Sequence, residues 1–283
     1  MPIKKFITFI YYSHMLLVSL AMVLTGTISA ILYGQLSWQV ILLVGLSTYL
    51  TYSLDNLIDW KKDQSHYEGI KVIVQTYHKI SYILIPGSAI GIFILIINSS
   101  NELQTGILLL GAAVAMSTTR FSGYRNKSSS ESQKIFAFLL NRTFISLVWT
   151  TVCVFLPIWY ANLPVIPLTW HTFLYMYVLI LSYAVVWKLE KSPATFQKEI
   201  FSSWISKGLA ALSFLPLFLV FYDIIIGYAP VQNLVNMAPA VASLVGLVQI
   251  SRNPIDLQKK ISILTLILIG LCTVSAIVHL SLV

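Results

Sequence analysis

Asp55-Asn56-Leu57-Ile58-Asp59-Trp60-Lys61-Lys62-Asp63 closes an apolar run that begins near residue 36. Three carboxylates recur there at every fourth residue. On an α-helix, positions i, i+4 and i+8 stay within about 80° of one face and span roughly 12 Å. Asp55, Asp59 and Asp63 are therefore expected to point into one cavity. Clustered anions at a membrane edge repel one another and resist desolvation, so a cation is expected to compensate them. A hard divalent ion such as Mg²⁺ suits carboxylate oxygens and can in turn hold a phosphate.

The surrounding sequence says where this face sits. Hydrophobic residues make up 57% of the 283 and charged residues 10%, with mean hydropathy +0.82. Soluble domains carry about a quarter charged residues, so this composition excludes one. Nine apolar segments are long enough to cross a hydrocarbon core of about 30 Å. They run approximately over 9–33, 36–57, 79–98, 103–119, 135–160, 167–187, 202–225, 229–250 and 261–282. The connections are short, which predicts one polytopic all-α membrane domain over 1–283, a bundle of about nine transmembrane helices around a central cavity. The first segment is too long for a signal-peptide core and reads as a retained helix.

The net charge of +8 is distributed on one side. Seventeen of the eighteen Lys and Arg residues fall in the N-terminus and in the loops after segments two, four, six and eight. The eighteenth, Arg142, lies about a turn into segment five from that same side. This positive-inside pattern predicts an inner N-terminus, an outer C-terminus and the Asp55 face at the inner surface. The basic excess then serves topology and contact with anionic lipids. Nothing in it points to a nucleic-acid partner.

The nine-segment plan and the Asp55–Asp63 motif resemble the UbiA superfamily of intramembrane prenyltransferases. That family carries Asn-Asp-x-x-Asp-x-x-x-Asp at the inner end of its second helix. The register here is the same with the first two residues exchanged. The resemblance implies that Mg²⁺ bridges carboxylates to the diphosphate of a polyprenyl donor, and that a lipophilic, usually aromatic, acceptor captures the allylic cation. Asp59 and Asp63 then become the leading metal ligands, with Asp55 as a further one. Asn56, Lys71, Arg120, Arg125, Lys188 and Lys191 become diphosphate partners. Eight residues beyond the last Asp the family often has Arg-Pro; here Lys71 keeps the charge and Val72 replaces the proline.

A second Asp-x-x-x-Asp normally follows the sixth helix of that family. The corresponding stretch reads Tyr183-Ala184-Val185-Val186-Trp187-Lys188-Leu189-Glu190-Lys191, with Trp187 and Lys191 at the carboxylate positions. Glu190 is the remaining nearby ligand for a second metal, and Lys191 could neutralise diphosphate as a point charge. This departure keeps a second expectation open: a non-catalytic UbiA-like protein that binds an isoprenoid lipid or pigment, or serves as a subunit or assembly factor of a membrane complex.

Other polar residues have plainer readings. Cys153 and Cys272 lie in apolar runs and are expected to pack as small hydrophobes. His14 and His279 are isolated, so packing or a hydrogen bond is expected of them. Arg142 needs a partner, a carboxylate of segment two or a phosphate, unless it snorkels. Tyr52, Trp60, Tyr183 and Trp187 gather near the inner ends of segments two and six, as belt residues or as a cavity lining. Asp223 and Glu102 read as solvated residues near the outer interface, and Pro239 as a kink in segment eight.

Overall fold

The computed structural model describes residues 9–10, 13–62, 71–101, 103–107, 131–190, 208, 211–212, 214–229, 231–252 and 257–281. Among these the named elements are all helical: α1 (Met15–Tyr33), α2 (Trp38–Lys62), α3 (Lys71–Ile97), α4 (Glu131–Ala161), α5 (Pro167–Glu190), α6 (Leu215–Ile226), α7 (Met237–Arg252) and α8 (Leu257–Leu280), with a 3₁₀ helix over Val231–Asn236. Five helices among the described residues are long and apolar enough to cross a membrane: α1, α3, α4, α5 and α8. The apolar parts of α2 and α6 are shorter. Most of the expected segment 103–119 lies outside the described residues.

Short connections set the neighbours. Gly34 ends α1 in the left-handed region, φ 64°, and its N–H donates to Ala30 O. Four residues later α2 begins. Inside that turn Ser29 Oγ donates to Gln35 O at 2.7 Å and accepts from Ser37 N at 3.3 Å. These bonds satisfy turn groups that an apolar environment would otherwise strand. α1, α2 and α3 run in alternate directions; α4 runs the same way as α3, and α5 returns the opposite way. One end of the bundle therefore carries Lys62, Lys71 and Glu190, here called the basic end; Tyr33, Ile97 and Pro167 lie toward the far end.

The first helix is the axis of the core. Leu20, Leu24 and Ile28 are buried with Leu264 and Leu268 of α8 and Val154 of α4. Thr27 Oγ1 donates to Cys272 O of α8 at 2.9 Å, and Thr25 meets Cys153 Sγ of α4 at 3.5 Å. Thr25, Gly26, Thr27, Ser29 and Ala30 are small and let these neighbours approach closely. Both cysteines are free and each is only 1% exposed, as expected for packing residues.

Two local expectations change. The third helix starts at Lys71, eight residues before its apolar segment. Its stripe Val74, Tyr77 and Ser81 is buried while Gln75, Thr76 and Lys79 are exposed. One turn-spaced buried face is enough to extend a helix through a polar-looking stretch. Pro239 does not kink the interior of a helix. It sits in the first turn of α7, where its missing N–H interrupts no helical bond. The interior prolines are Pro86 of α3 and Pro157 of α4.

Candidate functional site

The last turns of α2 carry Asp55, Asn56 and Asp59. Tyr52, one turn earlier, sets the reference direction. Its ring lies 5.3 Å from that of His14, which precedes α1, and stacks 6.5 Å from Trp149 of α4 at 15°. Positions 55 and 59 fall about 60° and 20° from position 52 around the helix. They therefore continue the stripe of α2 that meets α1 and α4. Asp63 lies outside the described residues.

Asn56 turns about 40° from Tyr52 toward α3, the opposite way from positions 55 and 59. It is 2% exposed and shares the α3-facing stripe with Ser53 and Tyr49. Tyr77 Oη donates to Ser53 Oγ at 2.7 Å, with Asn56 within hydrogen-bond reach of the same phenol. Tyr49 Oη and Ser81 Oγ approach at 3.5 Å one turn further on. This buried ladder fixes the end of α2 against α3. Asn56 belongs to the ladder and the flanking aspartate positions to the neighbouring stripe.

Lys71 is the first residue of α3, and Trp187, Lys188 and Glu190 occupy the last turn of α5. Arg120, Arg125 and Lys191 lie outside the described residues, as do His66 and Glu102. Arg142 is half-buried, with its guanidinium carbon 6.0 Å from the Phe138 ring one turn nearer the basic end. Among the described residues no three His, Cys, Asp or Glu side chains are grouped to hold a metal. His14 and His279 behave as expected. His14 is buried against Tyr52, and the His279 ring approaches Ser275 O at 2.8 Å through Nδ1.

At the far end the structure assembles a polar cluster that sequence inspection passed over. Asp223 of α6 is not solvated. Its side chain is 7% exposed and pairs with His171 Nδ1 of α5, itself 23% exposed. A carboxylate in an apolar run has to be compensated, and 52 residues separate the two partners. Nearby, Tyr175 Oη donates to Asn236 O at 2.9 Å, and Ser275 Oγ donates to Asn236 Oδ1. His171, Thr172, Tyr175, Asp223 and Asn236 line a small cleft, and Leu219 forms part of its apolar wall. The His171 ring also touches Tyr222 at 5.7 Å and Tyr228 at 6.0 Å.

No protein-family model, curated protein or solved structure matches this chain.

Proposed function

We propose that this chain is an intramembrane prenyltransferase of the UbiA kind, with nine spans, an inner N-terminus and its reaction at the inner surface. The observation that carries this reading is the helical stripe of Asp55 and Asp59 at the end of the apolar helix α2, continuous with Tyr52 and its contacts to α1 and α4. An anionic stripe placed there is expensive unless a cation meets it.

The carboxylates suit Mg²⁺ by donor chemistry, being hard oxygen ligands of the kind it accepts. Asp59 and Asp63 would hold it, with Asp55 adding a third ligand and Glu190 a ligand across the site. When bound, the ion neutralises charge on the donor's diphosphate. The chain's own residues account for the remainder. Lys71, Arg120, Arg125, Lys188 and Lys191 supply positive charge for the diphosphate as it departs. The allylic C1–O bond breaks and its electron pair leaves with the diphosphate. The acceptor's nucleophilic carbon bonds to C1 and then loses its proton. Aromatic faces such as Tyr52 and Trp149 stabilise the transient cation and exclude water from it. A lipophilic cavity open to the bilayer holds the prenyl tail and the acceptor.

A second reading has a specific observation behind it. Trp187 and Lys191 stand where a second carboxylate pair would complete the site. That favours a non-catalytic relative which binds an isoprenoid lipid or pigment, or a partner subunit of a membrane complex. One experiment separates the two. Purified protein is assayed for Mg²⁺-dependent diphosphate release from several prenyl diphosphates, beside analysis of what copurifies. Release supports the transferase. No release with any donor, together with a stoichiometric lipid, pigment or subunit, supports the binding protein.

A further inference from the structure

We propose that the far-end cleft lined by Thr172, Asp223 and Asn236 is a binding site for the hydroxyl group of a long-chain primary alcohol that enters from the far leaflet. The site is independent of the carboxylate stripe on α2.

The hydrogen-bond inventory of the cleft calls for a ligand that both donates and accepts. Asp223 gives one carboxylate oxygen to His171, and its second oxygen has no partner among the described residues. That second oxygen accepts a hydrogen bond whichever of the two residues holds the proton between them, so the charge of His171 does not decide the ligand. Asn236 O accepts from Tyr175, and Asn236 Oδ1 accepts from Ser275. The amide hydrogens on Asn236 Nδ2 are left without a partner among the described residues. Thr172 adds its own hydroxyl to the lining. All three side chains are buried. A buried polar atom without a partner costs free energy, which a group that bonds to it restores.

Donor and acceptor chemistry selects the group. An ammonium only donates and leaves the Asn236 amide unmatched. A carboxylate only accepts and would face the carboxyl of Asp223. An ether oxygen cannot donate. A hydroxyl is the smallest organic group that does both, giving its hydrogen to Asp223 and accepting from Asn236. The walls select an apolar remainder. Leu168, Leu219 and Val220 line the same cleft, so a ligand with an alkyl chain covers surface that a single water would leave open. Of the lining residues, Ile31 and His171 are partly exposed, so the cleft opens past them. Trp170 and Phe218 are exposed at this end of the bundle, and aromatic residues of this kind sit at the level of lipid headgroups.

The test uses the purified full chain in detergent. Dodecanol and dodecyl methyl ether are added at equal mole fraction, with ethanol as the soluble alcohol. Retained ligand is counted by native mass spectrometry, and thermal unfolding is followed beside it. The alcohol should be retained about tenfold or more over the ether, the scale of one hydrogen bond to a carboxylate. It should also raise the unfolding temperature where the ether does not. Asp223→Ala removes the acceptor, and Leu219→Trp fills the cleft while leaving its polar atoms in place. Each should abolish the preference for alcohol over ether. Equal retention of alcohol and ether by the wild type would overturn the proposal, as would an unchanged preference in either variant once folded. Stabilisation by ethanol with no dodecanol retained would assign the cleft to water and small soluble alcohols, and would overturn it too. If neither variant folds, the wild-type comparison of alcohol with ether alone decides.

Discussion

Tyr77 of α3 donates its phenolic hydrogen to Ser53 of α2 across 2.7 Å, two residues before Asp55. The bond joins two helices at the point where the apolar part of α2 gives way to its charged end. It makes α3 the brace for the turn on which the carboxylate stripe begins. Tyr77→Phe removes the donor and leaves the ring in place. Interhelical hydrogen bonds in membranes average about 0.6 kcal/mol and reach about 1.7. The variant should lose stability on that scale in a thermal or denaturant unfolding measurement in detergent. Under the transferase reading it should also lose turnover, because the end of α2 is held less firmly. Wild-type unfolding behaviour in Tyr77→Phe would show that the ladder does not brace the helix.

Asp59→Asn and Asp63→Asn keep side-chain size and remove an anionic ligand. Each should lower Mg²⁺-dependent diphosphate release by roughly 10²-fold or more, the scale of losing one preorganised charge-stabilising group. Asn56→Ala should act differently. It removes a buried member of the α2–α3 ladder, so its first effect should be on unfolding temperature. A Mg²⁺-independent release, or release unaffected by either aspartate change, would place the chemistry elsewhere.

Two glycines should respond oppositely to one added methyl. A Cβ on Gly106 would stand 2.3 Å from the Trp159 ring of α4, whereas one on Gly87 of α3 meets nothing within 4 Å. Gly106→Ala should destabilise by about 1–3 kcal/mol through overpacking. Gly87→Ala should be neutral or stabilising by up to about 1 kcal/mol, because alanine is the better helix former. Unfolding midpoints of the two variants side by side make the comparison.

The expected orientation has a direct measurement. A cysteine at Val165, exposed between α4 and α5, should react with an impermeant maleimide from outside the cell. A cysteine at Ser128 should react only after permeabilisation. Native Cys153 and Cys272 are too buried to give background. Labelling of both positions from the same side would rule out the alternating plan.

The long elements were legible because membrane helices announce themselves by length. The run read over 135–160 is α4, and that read over 167–187 is most of α5. Their ends were less legible, as Lys71–Lys79 shows. A helix can continue wherever every third or fourth residue finds a neighbour, and composition alone does not reveal that neighbour. The same limit hid the far-end cluster. Asp223 reads as solvated because it lies near the outer interface, and nothing in the sequence around His171 marks it as a partner. Their pairing spans 52 residues and exists only once α5 and α6 are packed. A usable signal was nevertheless present. A carboxylate within an apolar segment needs a compensating group, the reasoning applied to Arg142 and equally applicable to Asp223. At the basic end, Asp55 and Asp59 lie on one helix, as their spacing implies. Spacing does not show that Asn56 is buried against Tyr77 of another helix.

The pairing of α1 with α8 has a consequence for biogenesis. Thr27 reaches its carbonyl partner at Cys272 across 245 residues of chain, so α1 completes its packing only once α8 has followed it. Throughout synthesis of the intervening helices, the small-residue face of α1 has to be held by provisional neighbours, lipid or an insertion chaperone. Assembly of this bundle therefore waits on the synthesis of α8, and a ribosome stalled before α8 would leave a membrane intermediate with its central seam open.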